Sequence, residues 1–528
     1  MAERIISFDI LRGWAILGNL AVHTFMMTTQ IEGLAESNPG DLTIIGFIMM
    51  GLIIVFGHWR GLFLLISGIV HMMTMQMKYK RGIRREVILV QELMKGFLLW
   101  IWAMFFYVFL AQWGPTKAWA EQRTVTIKWE SIYHADQFAN IAWAIIISAI
   151  LYYILTSHKK LHKPLVMTAA FAAVGLAFIF SAPALHQLII DFWRVDMHSN
   201  IPSQYTGFFG ALDYNGWQGY FDNISFTTTW DYIIRYRGSS LSYIGEKGWW
   251  DYILRMLGNQ MDGRESPLLP HFAYSAVGSI LGIYISQDKK PDKKKFLSWG
   301  YGLAGVSMFF GVFWLFVVEK IPEDPFTLVD FHVHPTWFVF VTIGMLMFVV
   351  LGLMHGHEFS RKVNWEKRLK WSRFSRRVGF LSLSVYSFAS IQSVWRVIYG
   401  FIFPNQGFRT AFGLKLGFYF LLYGTELVFW FFFLWLWEKW HFNLSAEWLF
   451  ALILKRPAQR KKKDKPKLLG DFLDVNGRVI NVTPVHWVEP IETIEKEDIG
   501  KKRAIIYKFK IRRKNVESSS VTASKYRS

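Results

Sequence analysis

The chain contains no cysteine, so disulfide bonds, thiolate nucleophiles and cysteine-ligated metals are all excluded. Charged residues are also few: they make up 19% of the 528 residues, against about 25% in soluble proteins. The sequence has no Walker-type phosphate loop and no His-Glu-x-x-His zinc pattern. These absences exclude cysteine-dependent enzymes and give no support to a P-loop nucleotidase or a zinc protease of that type.

Apolar runs long enough to cross a membrane recur along most of the sequence. Hydrophobic residues amount to 52%, with 25 tryptophans and 47 phenylalanines. The runs predict an all-α polytopic membrane protein with about ten transmembrane helices. The first run has no cleavage site of small residues, so we expect it to be retained. The predicted spans are 10–31, 56–77, 87–112, 138–157, 164–182, 268–286, 297–318, 336–356, 378–402 and 414–438.

Basic residues, which give the chain a formal net charge of +20, are concentrated in alternate loops. Because cytoplasmic loops of membrane proteins are enriched in lysine and arginine, both termini are expected in the cytoplasm, with the bundle in the cell or plasma membrane. This distribution favours contact with the lipid bilayer over nucleic acid. The basic segments are 78–85, 159–163, 289–295, 361–377 and the chain after 455.

Two domains are predicted. Residues 1–455 form the membrane domain, which includes a large extracytoplasmic aromatic loop at 181–266. Residues 456–528 form a basic cytoplasmic tail, in which alternating apolar and polar residues predict a small β-subdomain. Residues 42–56 are interpreted as a lateral or half-buried helix, because a further span would reverse the alternation of basic loops.

The first predicted helix carries polar side chains at helical spacing. At about 100° per residue, four of them fall within roughly 80° of one another. Such a stripe must face protein or water rather than lipid, and ionisable groups at bilayer depth are expensive and commonly functional. The alternative is a structural stripe, with Arg12 in an interfacial salt bridge and the histidine bonded to a neighbouring helix. The four residues are Asp9, Arg12, Asn19 and His23.

Several segments resemble a superfamily of transmembrane acyltransferases. The spacing of Arg12 and His23, the Arg81-x-x-Arg84 pattern and residues 63–68 match the acyltransferase 3 membrane family. Further segments resemble the YeiB-like domain-of-unknown-function group, which usually has asparagine at the position of His23; they are 4–18, 334–344, 379–386 with 392–393, and 442–449. Both groups are similar to heparan-alpha-glucosaminide N-acetyltransferase. The resemblance implies transfer of an acyl group from cytoplasmic acyl-CoA, with acetyl-CoA as the expected donor, to an extracytoplasmic glycan or lipid-linked acceptor.

The resemblance also implies roles for charged residues. His23 becomes a candidate general base or transient acyl carrier. Arg12, paired with Asp9, becomes a candidate ligand of a CoA phosphate or of the thioester carbonyl. A second group of arginines is a candidate clamp on the CoA phosphates; the alternative for this group is ordinary topology signalling. These arginines are Arg81, Arg84 and Arg85.

Other candidate residues lie on the acceptor side and in the bundle interior. The acceptor-side candidates are His58, Arg60 and Trp217, and the interior candidates are Asn19, Tyr386, Gln392, Arg396 and Glu426. Arg396 and Glu426 are predicted to pair across helices, because an unpaired intramembrane charge is costly. No metal is expected, since the spacing of the outer histidines supports no ligand set.

Two other function classes remain open at this level. Intramembrane histidine, arginine and glutamate also suit a proton-coupled transporter or flippase. A non-catalytic membrane scaffold subunit, with the tail docking a partner, is the third class. A homo-oligomer is compatible with any of the three.

Overall fold

The computed structural model describes the chain in segments. Within them, all regular secondary structure is helical. The predicted β-subdomain, residues 42–56 and most of the predicted outer loop lie outside these segments. The described residues are 5–28, 60–110, 137–158, 160–193, 257, 260–261, 268–287, 292–319, 336–359, 371–391, 394–395, 398–399, 402, 416–440 and 442–459.

Short connections join α2 to α3, α4 to α5, α6 to α7 and α11 to α12. Single π-helical turns extend the third helix over Phe106–Leu110 and the seventh over Leu315–Glu319. In chain order the described helices are α1 (Ile6–Thr28), α2 (Arg60–Lys80), α3 (Arg85–Phe105), α4 (Gln137–Leu155), α5 (Pro164–Trp193), α6 (Leu268–Ile285), α7 (Lys293–Trp314), α8 (Thr336–His357), α9 (Arg373–Phe380), α10 (Ser382–Ser387), α11 (Leu416–Lys439) and α12 (Ala446–Gln459).

Eight of the described helices are long and apolar enough to cross a membrane. They are α2 to α8 and α11, and they coincide with the second to eighth and the tenth predicted spans. The described part of the chain is therefore that of a helical membrane protein. The helix α1 is long enough but is not among the eight, because its polar stripe lowers its hydropathy.

Two predicted boundaries differ from the structure. Residues 378–402 were predicted as one span, but their described part breaks at Leu381 (φ −102°, ψ 32°) between α9 and α10, and a 3-10 turn follows at Ala389–Ile391. The prediction of a continuous ninth helix is therefore wrong over these residues. The outer loop was predicted to start at 181, but α5 continues to Trp193.

Glycines bring the packed helix pairs into close contact. The helices α2 and α6 form one such pair, and α7 and α8 form another. A Cβ atom added at Gly278 would lie 2.0 Å from the carbonyl oxygen of Leu65, and one at Gly68 would lie 2.3 Å from that of Ser275. Small residues at the crossing let backbones approach, as is usual between membrane helices.

Contacts between helix termini bring several connections together at one end of the bundle, which is called the basic end here. It includes the start of α1, the ends of α2, α6 and α8, and the α4–α5 connection. The backbone N–H of Ser7 at the start of α1 donates to Glu358 after α8, at 2.9 Å. At the end of α2, the Tyr79 ring packs 4.7 Å from His162 in the α4–α5 connection, and Lys80 donates to the carbonyl of Ser286 after α6. The basic loops predicted from the sequence begin here.

Candidate functional site along the first helix

The helix α1 turns its polar face towards the protein. Asp9 and Thr24 are buried, and Asn19 and His23 are half-buried. Trp14, between them in sequence, is 43% exposed and lies on the surface available to lipid. The stripe predicted from helical spacing thus faces neighbouring helices, as polar groups at membrane depth require.

A close crossing of α1 and α9 holds this face in place. A Cβ atom added at Gly13 would lie 1.9 Å from the carbonyl oxygen of Ser375, and one at Gly379 would lie 1.9 Å from that of Asp9. Only hydrogen atoms fit at both positions. This close contact explains in structural terms why glycine occupies both positions. It also brings segments 4–18 and 379–386 together.

The third resembling segment, 442–449, joins the same cluster through Glu447. The Glu447 Oε1 atom accepts from the backbone N–H of Leu383 at 2.8 Å and of Ser384 at 3.2 Å, at the start of α10. The Ser384 hydroxyl donates to Glu447 Oε2 and accepts from the Ala446 N–H at 2.9 Å. Burial raises the pKa of the Glu447 carboxyl, and the hydrogen bonds from Ser384 and its neighbours partly offset this rise. These contacts assign Glu447 and Ser384 a structural role, because each caps the helix of the other.

At the basic end, Arg12 and Asp9 form the pair predicted from their spacing. The Arg12 Nη1 atom lies 4.0 Å from Asp9 Oδ1, and the Arg12 side chain is 24% exposed. The positive charge of Arg12 also acts on His71 of α2.

A charged cluster between α2 and α3 was missed by the sequence analysis. The Glu92 side chain is fully buried and its two oxygens meet three basic side chains. The Glu92 Oε1 atom accepts from Lys78 and Lys95, each at 2.8 Å, while Oε2 accepts from Lys95 at 2.9 Å and lies 3.2 Å from His71 Nδ1. His71, Lys78, Glu92 and Lys95 are called the Glu92 cluster below. The sequence does indicate this cluster, because the charged residues Glu92 and Lys95 interrupt an apolar run, as His23 does.

Farther along α1, Thr24 contacts a buried carboxylate on α11. The Thr24 hydroxyl lies 3.1 Å from Glu426 Oε2 and 2.8 Å from the Leu20 carbonyl oxygen. The neighbouring Tyr423 hydroxyl donates to the Leu17 carbonyl at 3.1 Å. His23 is thus adjacent in sequence to the residue that joins α1 to Glu426. The predicted partner of Glu426, Arg396, lies outside the described residues.

The three arginines predicted to bind CoA phosphates make local contacts or are exposed. Arg81 is exposed, and the Arg84 side chain is 81% exposed, with Nε 3.6 Å from Glu86. Arg85 Nε lies 3.0 Å from the same carboxylate, and its guanidinium stacks 5.0 Å from the Tyr153 ring. The structure therefore exposes Arg81 and Arg84 at the basic end, leaves Arg85 half-buried, and places Arg84 and Arg85 beside Glu86.

The remaining predicted residues are only partly described. Tyr386 packs on Phe138 at 4.8 Å and on Phe106 at 5.7 Å between ring centroids, where α10 meets α3 and α4. The Arg60 carbonyl accepts from Gln137 Nε2 at 2.8 Å. His58, Trp217 and Gln392 lie outside the described residues.

Within the described segments, no group of three or more histidine, aspartate or glutamate side chains could hold a metal ion. No family model matches the chain, and no curated protein matches it. The resemblance to transmembrane acyltransferases therefore stays a prediction.

Proposed function

We propose that the chain is a membrane acyltransferase that moves an acyl group from cytoplasmic acyl-CoA to a glycan or lipid-linked acceptor on the opposite face. The main support is the inward-facing stripe of α1. It carries the Asp9–Arg12 pair near the basic end and, about 16 Å farther along the helix axis, His23 beside the Thr24–Glu426 contact. A second support is the resemblance of segments 4–18, 379–386 and 442–449, which contribute to one packed cluster.

The basic end is the face from which the donor would enter. The positive-inside rule predicts that this end is cytoplasmic, where acyl-CoA is found. Arg12 is the ionisable group of α1 that a donor would meet at this end, and its guanidinium suits a phosphate or a polarised thioester carbonyl. Arg81 and Arg84, exposed at the same end, would contribute to attraction of the anionic donor.

In the proposed reaction His23 acts as the general base. It removes the proton from the acceptor hydroxyl or amine while that oxygen or nitrogen attacks the thioester carbonyl carbon. The carbon–sulfur bond then breaks, the electron pair leaves with the CoA sulfur, and the imidazolium returns its proton to that sulfur. The products are the acylated acceptor and free CoA. His23 is half-buried on the polar face of α1, which supports its assignment to this step.

The test is loss of the acetyl-CoA thioester in the presence of the purified full-length protein. Because a positioned general base contributes about 10²–10⁴-fold, we expect His23→Ala to lower the rate by at least about 100-fold. His158→Ala is the control, since His158 is an exposed histidine at the basic end. Equal rates for wild type and His23→Ala, or full activity of His23→Asn, would contradict the proposal.

A proton-coupled transporter is the second candidate, favoured by the buried carboxylate of Glu426. Buried intramembrane carboxylates are common in proton relays. In this case proteoliposomes would show solute uptake driven by a pH gradient, and Glu426→Gln would abolish it. Uptake without thioester loss would replace the first proposal with the second.

A further inference from the structure

The Glu92 cluster has more positive charge than its carboxylate neutralises. Lys78 and Lys95 are two cations against the one carboxylate of Glu92, which leaves one positive charge before His71 is considered. An uncompensated charge next to a fully buried group is costly, because the surrounding dielectric is low. A single lysine would have been enough to neutralise Glu92. The excess of positive charge therefore suits this site to an anion.

The geometry leaves donors for such an anion. Each lysine ammonium has three N–H donors; within the described residues, Lys78 uses one on Glu92 and Lys95 uses two. The side chains of His71, Lys78 and Lys95 are 22%, 19% and 27% exposed, whereas Glu92 is fully buried. The Glu92 carboxylate thus holds the three basic groups on their buried side, while part of each basic side chain stays accessible at the surface. Arg12 adds its positive potential at His71.

We propose that the Glu92 cluster is a binding site for a phosphate-type anion, contributed by a soluble phosphate compound or by a lipid headgroup. Lys78 lies two residues before the end of α2, and Glu92 and Lys95 lie about two and three turns into α3 from its start at Arg85. It is distinct from the exposed arginines of the α2–α3 connection. The proposal does not depend on acyl transfer, because it concerns binding and its test measures no turnover.

The test measures anion-dependent stabilisation of the full-length protein in phosphatidylcholine nanodiscs. Inorganic pyrophosphate is the soluble probe, and phosphatidylglycerol added to the discs is the lipid probe. We expect at least one probe to raise the unfolding temperature of the wild type. The probe that acts identifies the source of the anion.

Matched neutral variants assign the effect to the cluster. Loss of one charge-assisted hydrogen bond should weaken binding about tenfold, so we expect this loss for Lys78→Gln and for Lys95→Gln. Lys160→Gln, at an exposed lysine of the same end, should bind like the wild type. Equal responses of all variants to both probes, or the absence of any response in the wild type, would overturn the proposal.

A variant that removes negative charge from the cluster distinguishes anion binding from a purely structural role. Glu92→Gln removes the internal negative charge and keeps the side-chain shape, so the cluster should bind the anion more tightly, by roughly threefold or more. If the cluster only stabilised the fold, Glu92→Gln would lower stability and leave anion affinity unchanged. This measurement remains informative if the lysine variants fail to fold.

Discussion

At the scale of single residues, the described carboxylates fall into different environments. Glu447 is a helix cap with a raised pKa, Glu426 accepts from a threonine in the bundle, and Glu92 is surrounded by basic groups. A carboxylate beside neutral donors keeps its proton more readily than one beside cations. The role of each glutamate is therefore decided by the charges that face it.

The cap formed by Glu447 should make the stability of the protein depend on pH. The pKa of this carboxyl is higher in the folded state than its unfolded value of 4.5, so folding takes up a proton between these two pKa values. Stability therefore falls as the pH rises from 4.5 through the pKa of the folded state. Glu447→Gln imitates the protonated acid and should remove this component. The measurement is thermal unfolding of both proteins across that pH window.

Glu447→Ala provides the control for this prediction. It leaves the Leu383 and Ser384 N–H groups without their acceptor, which should cost about 1–3 kcal/mol relative to Glu447→Gln at every pH. Parallel stability–pH curves for wild type and Glu447→Gln would show that Glu447 does not titrate in this window.

At the scale of elements, the crossing of α1 and α9 positions the polar face of α1. Backbone contact at Gly13 and Gly379 fixes the rotation of α1, and that rotation turns Asp9 and Thr24 inward and Trp14 outward. The first residues of α10, whose backbone N–H groups donate to Glu447, continue the same helix packing. Segments that look like separate motifs along the chain are thus one set of helix contacts.

Substitution of the crossing glycines should separate these helices. Gly379→Ala places a Cβ atom 1.9 Å from the Asp9 carbonyl oxygen, so the backbones must move, at a cost of about 1–3 kcal/mol or more. The control is Gly302→Ala on α7, where, apart from the local helix backbone, no described atom lies within 4 Å of the added Cβ. Unfolding temperatures in one detergent check the prediction, and an equal response of the two variants would contradict it.

At the scale of the whole molecule, the described helices divide the surface into apolar and basic regions. The outer side of α7 is largely apolar and exposed, as at Leu303, Val306 and Phe309, which suits contact with lipid. The connections at the basic end carry the lysines and arginines. This separation is what a bilayer imposes on a membrane protein.

The absence of cysteine allows the orientation to be tested directly. A single cysteine introduced at Lys160, at the basic end, should resist a membrane-impermeant maleimide in intact cells, because this end is predicted to be cytoplasmic. A cysteine introduced at Glu319, the last residue of the π-helical turn after α7 and the first residue past the candidate span, should react. Labelling of the first and protection of the second would reverse the predicted topology.

The amino-acid sequence by itself was sufficient for the helical membrane class, for the approximate positions of eight spanning helices and for the inward face of α1. These follow from hydropathy and helical period, which are local properties. Only the tertiary structure decided the break between α9 and α10, because it depends on Glu447, 64 positions from Leu383. The Glu92 cluster likewise forms only when α2 and α3 pack, since the rotation and register of two helices determine which side chains meet.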